Sequence, residues 1–287
     1  YKIANKIGFI DSSKKFDNPI TVTSSGIIIY LNLLIIFFII FFFQKHIVNI
    51  LPNNFFFTFA CLSILVIMST IDDVRPIDPK IRLFIQLVCI YFSLTSIQIY
   101  ELKLPLKISI FICLLFWVYI INIINFVDGS DGFLAINTIF VFVNFIIIDY
   151  IFGLYSFSKY LLFLLLPSIL TFLYFNKPSA KMYLGDSGSI LIGFISGFLF
   201  LELITLNKIN LAISLLIYPL FDCTIALVRK TLDGKLPWAD ISNYSFLQPT
   251  IKKNKNKYFV FYFNILFNLI NSFFIFLQII YGWYFIF

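Results

Sequence analysis

Charge is in short supply in this chain. Only 12% of its 287 residues are Asp, Glu, Lys or Arg, about half the share of an ordinary soluble domain. That excludes a soluble globular protein. The 61% hydrophobic content excludes disorder as well, which needs low hydrophobicity and high charge. Histidine is reduced to His46 alone, and cysteine to Cys61, Cys89, Cys113 and Cys223, each inside an apolar run with no CxxC and no histidine nearby. Such cysteines read as small hydrophobes packed between helices, not as metal ligands or disulfide partners. No stretch has a soluble composition, so residues 1–287 read as a single transmembrane domain. The first residue is Tyr1 and the opening is polar, without a signal peptide. We therefore expect a truncated N-terminus.

Apolar length is what the chain has in abundance. A spanning helix takes about 20 mostly apolar residues. Runs of that kind fall at 27–43, 55–71, 81–99, 106–124, 133–150, 160–175, 190–206, 211–228 and from 258 to the end. This predicts an all-α fold, a polytopic membrane helix bundle with about nine visible spans. Assigning the loops alternately to two faces puts 16 of the 21 Lys and Arg on one face, and that face is cytoplasmic by the positive-inside rule. The net charge of +7 is then a matter of topology and of attraction to anionic lipid. No basic folded surface suits nucleic acid. Ten of the 14 carboxylates lie on the same face, which topology does not require. Carboxylates held beside cations at membrane level point to a divalent cation and phosphorylated substrates.

Three constellations sit on that face. The first is Asp72-Asp73, at the end of the second run. Adjacent carboxylates at a membrane boundary suit Mg²⁺, or one of them serves as a base with its pKa raised by its neighbour; a solvated helix end is the plain alternative. Lys80 and Arg82 follow, either as phosphate ligands or as positive-inside anchors. For Arg82 the anchor is the preferred reading. The second constellation is Asn122, Asn125, Asp128-Gly129 and Asp131-Gly132. Asn122 and Asn125 share a helix face, and the glycines allow close backbone approach. Amides beside paired carboxylates fit a nucleotide with a metal-bound diphosphate, and an Asx- and Gly-rich turn is the plain alternative. The third is Gly185-Asp186-Ser187-Gly188-Ser189, leading into the seventh run. Part of it is ordinary helix capping, but glycines flanking an Asp at a helix N-terminus also make a phosphate and Mg²⁺ site.

Taken together, these motifs resemble the polyprenyl-phosphate N-acetylhexosamine-1-phosphate transferases. Asp72 and Asp73 match that family's paired aspartates, Asn122 to Gly132 its Asn-x-x-Asn-x-x-Asp-Gly-x-Asp-Gly signature, and Gly185 to Ser189 its Gly-Asp-x-Gly-Ser loop. Asp222 is similar to an aspartate of the late helix, and Ile7 to Asp11 resembles the segment after the family's first helix. The resemblance implies ten or eleven spans in the full protein. It also implies a reaction: a UDP-amino sugar and polyprenyl (undecaprenyl) phosphate give polyprenyl-diphosphate sugar and UMP, with Mg²⁺ (or Mn²⁺) as cofactor.

By that resemblance Asp72, Asp73, Asp128 and Asp186 are catalytic, and Asp186, Asp72 and Asp73 hold the metal. Lys80, Asn122, Asn125, Asp131 and Asn243 bind substrate. The location implied is the bacterial inner membrane, with the catalytic loops cytoplasmic, and a homodimer is compatible with it. The chain departs from the family in its last cytoplasmic loop, where Asn243, Ser245 and Phe246 stand where histidines are usual. A divergent sugar pocket is the favoured explanation. An inactive family member and a cation-coupled transporter are the competing readings. The transporter is disfavoured because most acids sit at helix ends and no internal repeat is evident.

Overall fold

Hydrocarbon offers no partner to a backbone N–H or C=O, so long apolar segments satisfy these groups internally, as helices. The computed structural model describes residues 10–11, 21–43, 51, 54–97, 99, 102, 104–154, 157–234 and 257–283. Ten helices run through them: α1 (Gly26–Phe43), α2 (Phe55–Val74), α3 (Pro79–Ser93), α4 (Leu106–Val127), α5 (Phe133–Phe152), α6 (Phe157–Asn176), α7 (Gly185–Thr205), α8 (Ile209–Leu215), α9 (Ile217–Leu232) and α10 (Lys257–Tyr281). A two-stranded antiparallel ribbon, β1 (Ile10–Asp11) with β2 (Thr21–Val22), precedes them. The all-α reading did not anticipate it.

Seven of these helices are long and apolar enough to cross a membrane, or eight if the bent pair α8–α9 counts as one span. The protein is thus an all-α polytopic membrane bundle. Two of the nine expected runs take other forms. The run at 81–99 becomes the 15-residue α3, which ends in a 3₁₀ turn at Leu94–Ser96. The run at 211–228 breaks at Leu216, where α8 and α9 meet at 76°.

That break exposes carbonyls inside the bundle, and α10 supplies donors for them. Asn271 Nδ2 donates to the Ser214 carbonyl at 2.8 Å, and Gln278 Nε2 to Ser214 Oγ at 3.0 Å. On the same stripe of α10, Asn268 Nδ2 donates to Asn137 Oδ1 and Asn264 Nδ2 to the Phe133 carbonyl, both at 3.0 Å. Interhelical side-chain hydrogen bonds of this kind glue helices together in a membrane. They fix α10 against both α5 and the broken span.

The axis of the bundle is α7, which packs on α1, α2, α4, α5 and α8 and has no exposed residue. Small residues let its neighbours approach. A Cβ on Gly193 would stand 2.8 Å from Ile121 Cα, and one on Gly197 would stand 2.1 Å from Trp117 Cδ1. Trp117 Nε1 uses that room to donate to the Phe194 carbonyl at 3.0 Å. Nearer the start of α7, a Cβ on Gly26 would fall 2.1 Å from Gly188 Cα, so α1 and α7 cross almost backbone to backbone. The chain entering α1 runs alongside the chain entering α7. Tyr183 N–H donates to the Val22 carbonyl at 2.8 Å and Gly26 N–H to the Leu184 carbonyl at 3.0 Å.

At the far end of the bundle, where α5 and α7 finish, Lys159 Nζ meets the fully buried Asp149 Oδ1 at 2.8 Å. There Ser158 Oγ also donates to Glu202 Oε2 at 2.7 Å.

Candidate active site

The near end of the bundle gathers the last turn of α2, the first turns of α3 and α7, and the α4–α5 connection. Local sequence sets each of these ends. Arg75 N–H closes α2 on the Ile71 carbonyl at 2.7 Å, and Pro76 stops it there. Asp78 Oδ1 then caps α3 by accepting from Lys80 N–H at 2.7 Å, with Pro79 at the favoured first position. In the α4–α5 turn, Gly132 adopts φ +72, and a Cβ there would lie 2.6 Å from the Phe261 ring. Its N–H donates to Asn176 Oδ1 at 2.9 Å.

The two adjacent aspartates have different tasks. Asp72 Oδ1 accepts from Ile77 N–H at 2.6 Å, while its Oδ2 accepts a short charge-assisted bond from Arg82 Nη1. The same nitrogen reaches Asp186 Oδ2 at 3.1 Å. One guanidinium nitrogen therefore bridges carboxylates from α2 and α7. Asp73 is engaged elsewhere. Its Oδ1 accepts from Asp186 N–H at 2.8 Å, and its Oδ2 accepts from Ser187 N–H at 3.3 Å and Ser24 Oγ at 2.7 Å. It caps α7 from another helix, where the natural N-cap position is Leu184 and offers no side-chain acceptor. Gly185 at φ +74 makes this possible, because a Cβ there would lie 2.8 Å from Asp73 Oδ2.

Asp128 closes α4 and is half-buried. Burial first, then the charges of Asp186 and Asp73, push its carboxyl well above the usual carboxylate range. Asn125 Oδ1 accepts from Ser189 Oγ at 2.5 Å, which ties α4 to the first turn of α7. Asp72 and Asp186 thus meet on Arg82, Asp73 and Asp128 lie beside Asp186, and Asn125 is tied to the same turn of α7.

The other expected site residues lie apart from this cluster. Asn122 Nδ2 donates to Gln86 Oε1 at 2.9 Å and to the Val118 carbonyl at 2.8 Å. The buried Asp131 accepts from Ser179 N–H at 3.2 Å, Ala180 N–H at 3.4 Å and Tyr183 OH at 3.3 Å. These bonds hold the loop before α7. Lys80 has its side chain exposed. Asn243 lies outside the described residues. Asp222, buried on α9, accepts from Tyr218 OH at 3.2 Å.

Arg82 is the residue sequence reasoning misplaced when it read it as an anchor. The signal was available in Gln86, which lies one turn further on and so on the same face; it is buried and bonded to α4. Ser24 gave no signal at all, since its role depends on a contact with a residue 49 positions away.

Among the described residues no three His, Cys, Asp or Glu form a metal cage. The donors fit Mg²⁺ nonetheless. This ion usually takes only one or two carboxylates and completes its shell with water and substrate phosphate, and Asp72 with Asp186 already flank a positively charged nitrogen.

Membrane helices that gather aspartates at one end of the bundle define a polytopic protein with a polar site at a membrane boundary. Comparison with known proteins gives the family. The profile described as glycosyl transferase family 4 matches residues 55–204, which is more than half the chain and carries all three constellations. The chain belongs to this family.

A probable undecaprenyl-phosphate N-acetylglucosaminyl 1-phosphate transferase of Bacillus subtilis (strain 168) is 26% identical over 247 residues, 81% of this chain and 67% of the relative. A phospho-N-acetylmuramoyl-pentapeptide-transferase of Nautilia profundicola is 32% identical over 123 residues, 37% of this chain and 35% of the relative. Another of that name, from Campylobacter jejuni subsp. jejuni serotype O:6, is 29% identical over 188 residues, 53% of each chain. The chain thus spans two-thirds of the first of these relatives and from about a third to a half of the others.

Proposed function

We propose that this protein transfers an N-acetylhexosamine 1-phosphate from a UDP-sugar to polyprenyl phosphate, releasing UMP, at the cytoplasmic face of the bacterial inner membrane. The observation that carries the reading is the meeting of Asp72 and Asp186 on Arg82, with Asp73 and Asp128 alongside, within a chain of this family. Asp72 and Asp186 would hold Mg²⁺, which when bound neutralises diphosphate charge.

In the transfer an oxygen of the lipid phosphate forms a bond to the sugar-bearing β-phosphorus. The bond from that phosphorus to the α–β bridging oxygen breaks, and UMP leaves with the electron pair. Reactions of this type depend mainly on positioning and charge stabilisation. The second pKa of a phosphate monoester is about 6, so the nucleophile is already ionised at neutral pH and needs no histidine. This agrees with a chain whose one histidine, His46, falls on the opposite face in the loop assignment. Asp73 and Ser24 hold the start of α7, and with it Asp186, in place. The prenyl chain has an apolar course available: a groove of about 620 Å³ between α1 and α2, lined by Tyr30, Leu31, Val66 and Ile67, which opens beside Arg75.

The test is UMP release by the purified protein with undecaprenyl phosphate and a panel of UDP-sugars, including UDP-GlcNAc and UDP-GalNAc. Release that depends on both the lipid and Mg²⁺ is expected with at least one sugar. No release with any of them overturns the proposal.

A further inference from the structure

We propose that Arg82 is a resident counter-cation that divalent metal must displace, so that metal and nucleotide bind cooperatively. This inference rests on the metal-site reading above and goes beyond it. Its starting point is the arrangement of charge: Asp72, Asp73, Asp128 and Asp186 converge, and Arg82 is bonded to two of them, Asp72 and Asp186. Its Nη1 makes charge-assisted hydrogen bonds to one oxygen of Asp72 and one of Asp186, and those two oxygens are the natural ligands for an incoming ion.

Metal–oxygen distances for Mg²⁺ are about 2.0–2.1 Å, so an ion bound to both carboxylates would occupy the place of that nitrogen. The two positive groups exclude each other. Asp72 itself cannot turn away easily, because its other oxygen accepts from Ile77 N–H and its side chain is only 7% exposed. Arg82 can leave, being 29% exposed and carried on a long flexible side chain in the first turns of α3.

A displaced guanidinium beside the carboxylates has an obvious new partner when a diphosphate is present. Its planar fork matches phosphate oxygens in a bidentate way that a lysine cannot reproduce. Metal alone therefore leaves Arg82 without an anionic partner, whereas metal with nucleotide gives it a new one. The resulting coupling is reciprocal: nucleotide tightens metal by the factor by which metal tightens nucleotide.

The experiment is Mn²⁺ binding followed by electron paramagnetic resonance on the purified full chain in detergent, with and without UDP, for wild type, Arg82→Gln, Arg82→Lys and Asp186→Asn. In wild type UDP is expected to tighten Mn²⁺ binding about tenfold or more, within the usual range of site-to-site coupling. Arg82→Gln should bind Mn²⁺ alone about tenfold more tightly than wild type and be tightened less by UDP, the direct bond between metal and diphosphate being what remains. Arg82→Lys should keep the weak binding of Mn²⁺ alone but couple less well to UDP, and it serves in place of the glutamine variant if that variant does not give a monodisperse protein. Arg82→Gln binding Mn²⁺ no more tightly than wild type, or tightened by UDP as strongly, overturns the proposal. Asp186→Asn separates the two readings. If it binds Mn²⁺ like wild type, the metal site itself is wrong and the Arg82 proposal falls with it. If it loses Mn²⁺ while Arg82→Gln behaves as wild type, only the displacement is wrong.

Discussion

Asp73, at the end of α2, accepts the backbone N–H of Asp186 at 2.8 Å across 113 residues of sequence. One carboxylate of the aspartate pair thus builds the helix on which a third carboxylate stands. An N-cap is usually the residue beside the helix, and losing one costs about 0.5–2 kcal/mol. Asp73→Ala should lower stability in detergent by that amount and abolish UMP release, because Asp186 moves. Ser24→Ala removes a single donor to Asp73 and should cost about 1 kcal/mol with most of the turnover retained. Chemical denaturation beside UMP release checks both. A fully active Asp73→Ala would show that α7 needs no cap from α2.

The environment of Asp128 makes stability depend on pH. Its carboxyl is held well above the usual range by burial and by Asp186 and Asp73. The folded protein therefore keeps a proton that the unfolded chain gives up as soon as pH passes the ordinary carboxylate value. Between those two points the native state binds more protons, so this group lowers stability as pH rises. Asp128→Asn should be more stable than wild type at pH 7 and equal to it in acid below the ordinary carboxylate pKa, while losing activity. Melting curves across pH for the two proteins decide the matter. Parallel curves would refute it.

The crossing of α1 and α7 has no room for a methyl group. A Cβ on Gly26 would lie 2.1 Å from both Gly188 Cα and Gly188 N. Both partners are backbone, so neither can rotate aside. Overpacking costs about 1–3 kcal/mol, and Gly26→Ala should reach at least that figure. It should also impair UMP release, since Ser24 and Ser25 enter α1 at the same point. Unchanged melting of Gly26→Ala would mean that the helices can separate freely.

At the far end, Lys159 is the partner of a completely buried carboxylate. Removing one member of such a pair strands a charge, at about 3–5 kcal/mol, whereas replacing both by apolar residues is often neutral. Lys159→Met should therefore be strongly destabilising, and the double variant Asp149→Leu/Lys159→Met much less so. A double-mutant cycle in detergent measures the difference, and additive losses would contradict it. UMP release per folded molecule should stay near wild type in the double variant, because this pair lies remote from the aspartate cluster.

Much of the fold was legible because bilayer physics writes it in long letters. The expected run at 55–71 is α2 (Phe55–Val74), and that at 106–124 is α4 (Leu106–Val127). The start of α7 lies five residues before the expected run at 190–206, since Gly185 to Ser189 look like a loop in composition and the cap on their first N–H groups comes from Asp73 on another helix. The break at Leu216 was invisible, with apolar residues on both sides and its stabilising donor, Asn271, on another helix. In the site, the aspartates were legible as residue types and the division of labour among them was not. Which carboxylate meets Arg82 and which caps α7 depends on contacts between segments far apart in sequence. Asp131 illustrates the limit: its motif is shared with Asp128, yet its oxygens serve the loop at 179–183.

The complete enclosure of α7 bears on how the protein lives in membranes of different composition. Helices at the rim, such as α1, α6 and α10, show broad apolar faces to the outside and meet a change in acyl-chain length directly, by tilting or by deforming the lipid around them. A helix with no lipid-facing stripe has no such obligation. Asp186 therefore stands on a helix that meets the bilayer only through its protein neighbours, whereas Asp72 and Asp128 end α2 and α4, which do turn apolar residues such as Ile64, Ile67, Phe111 and Leu115 outward.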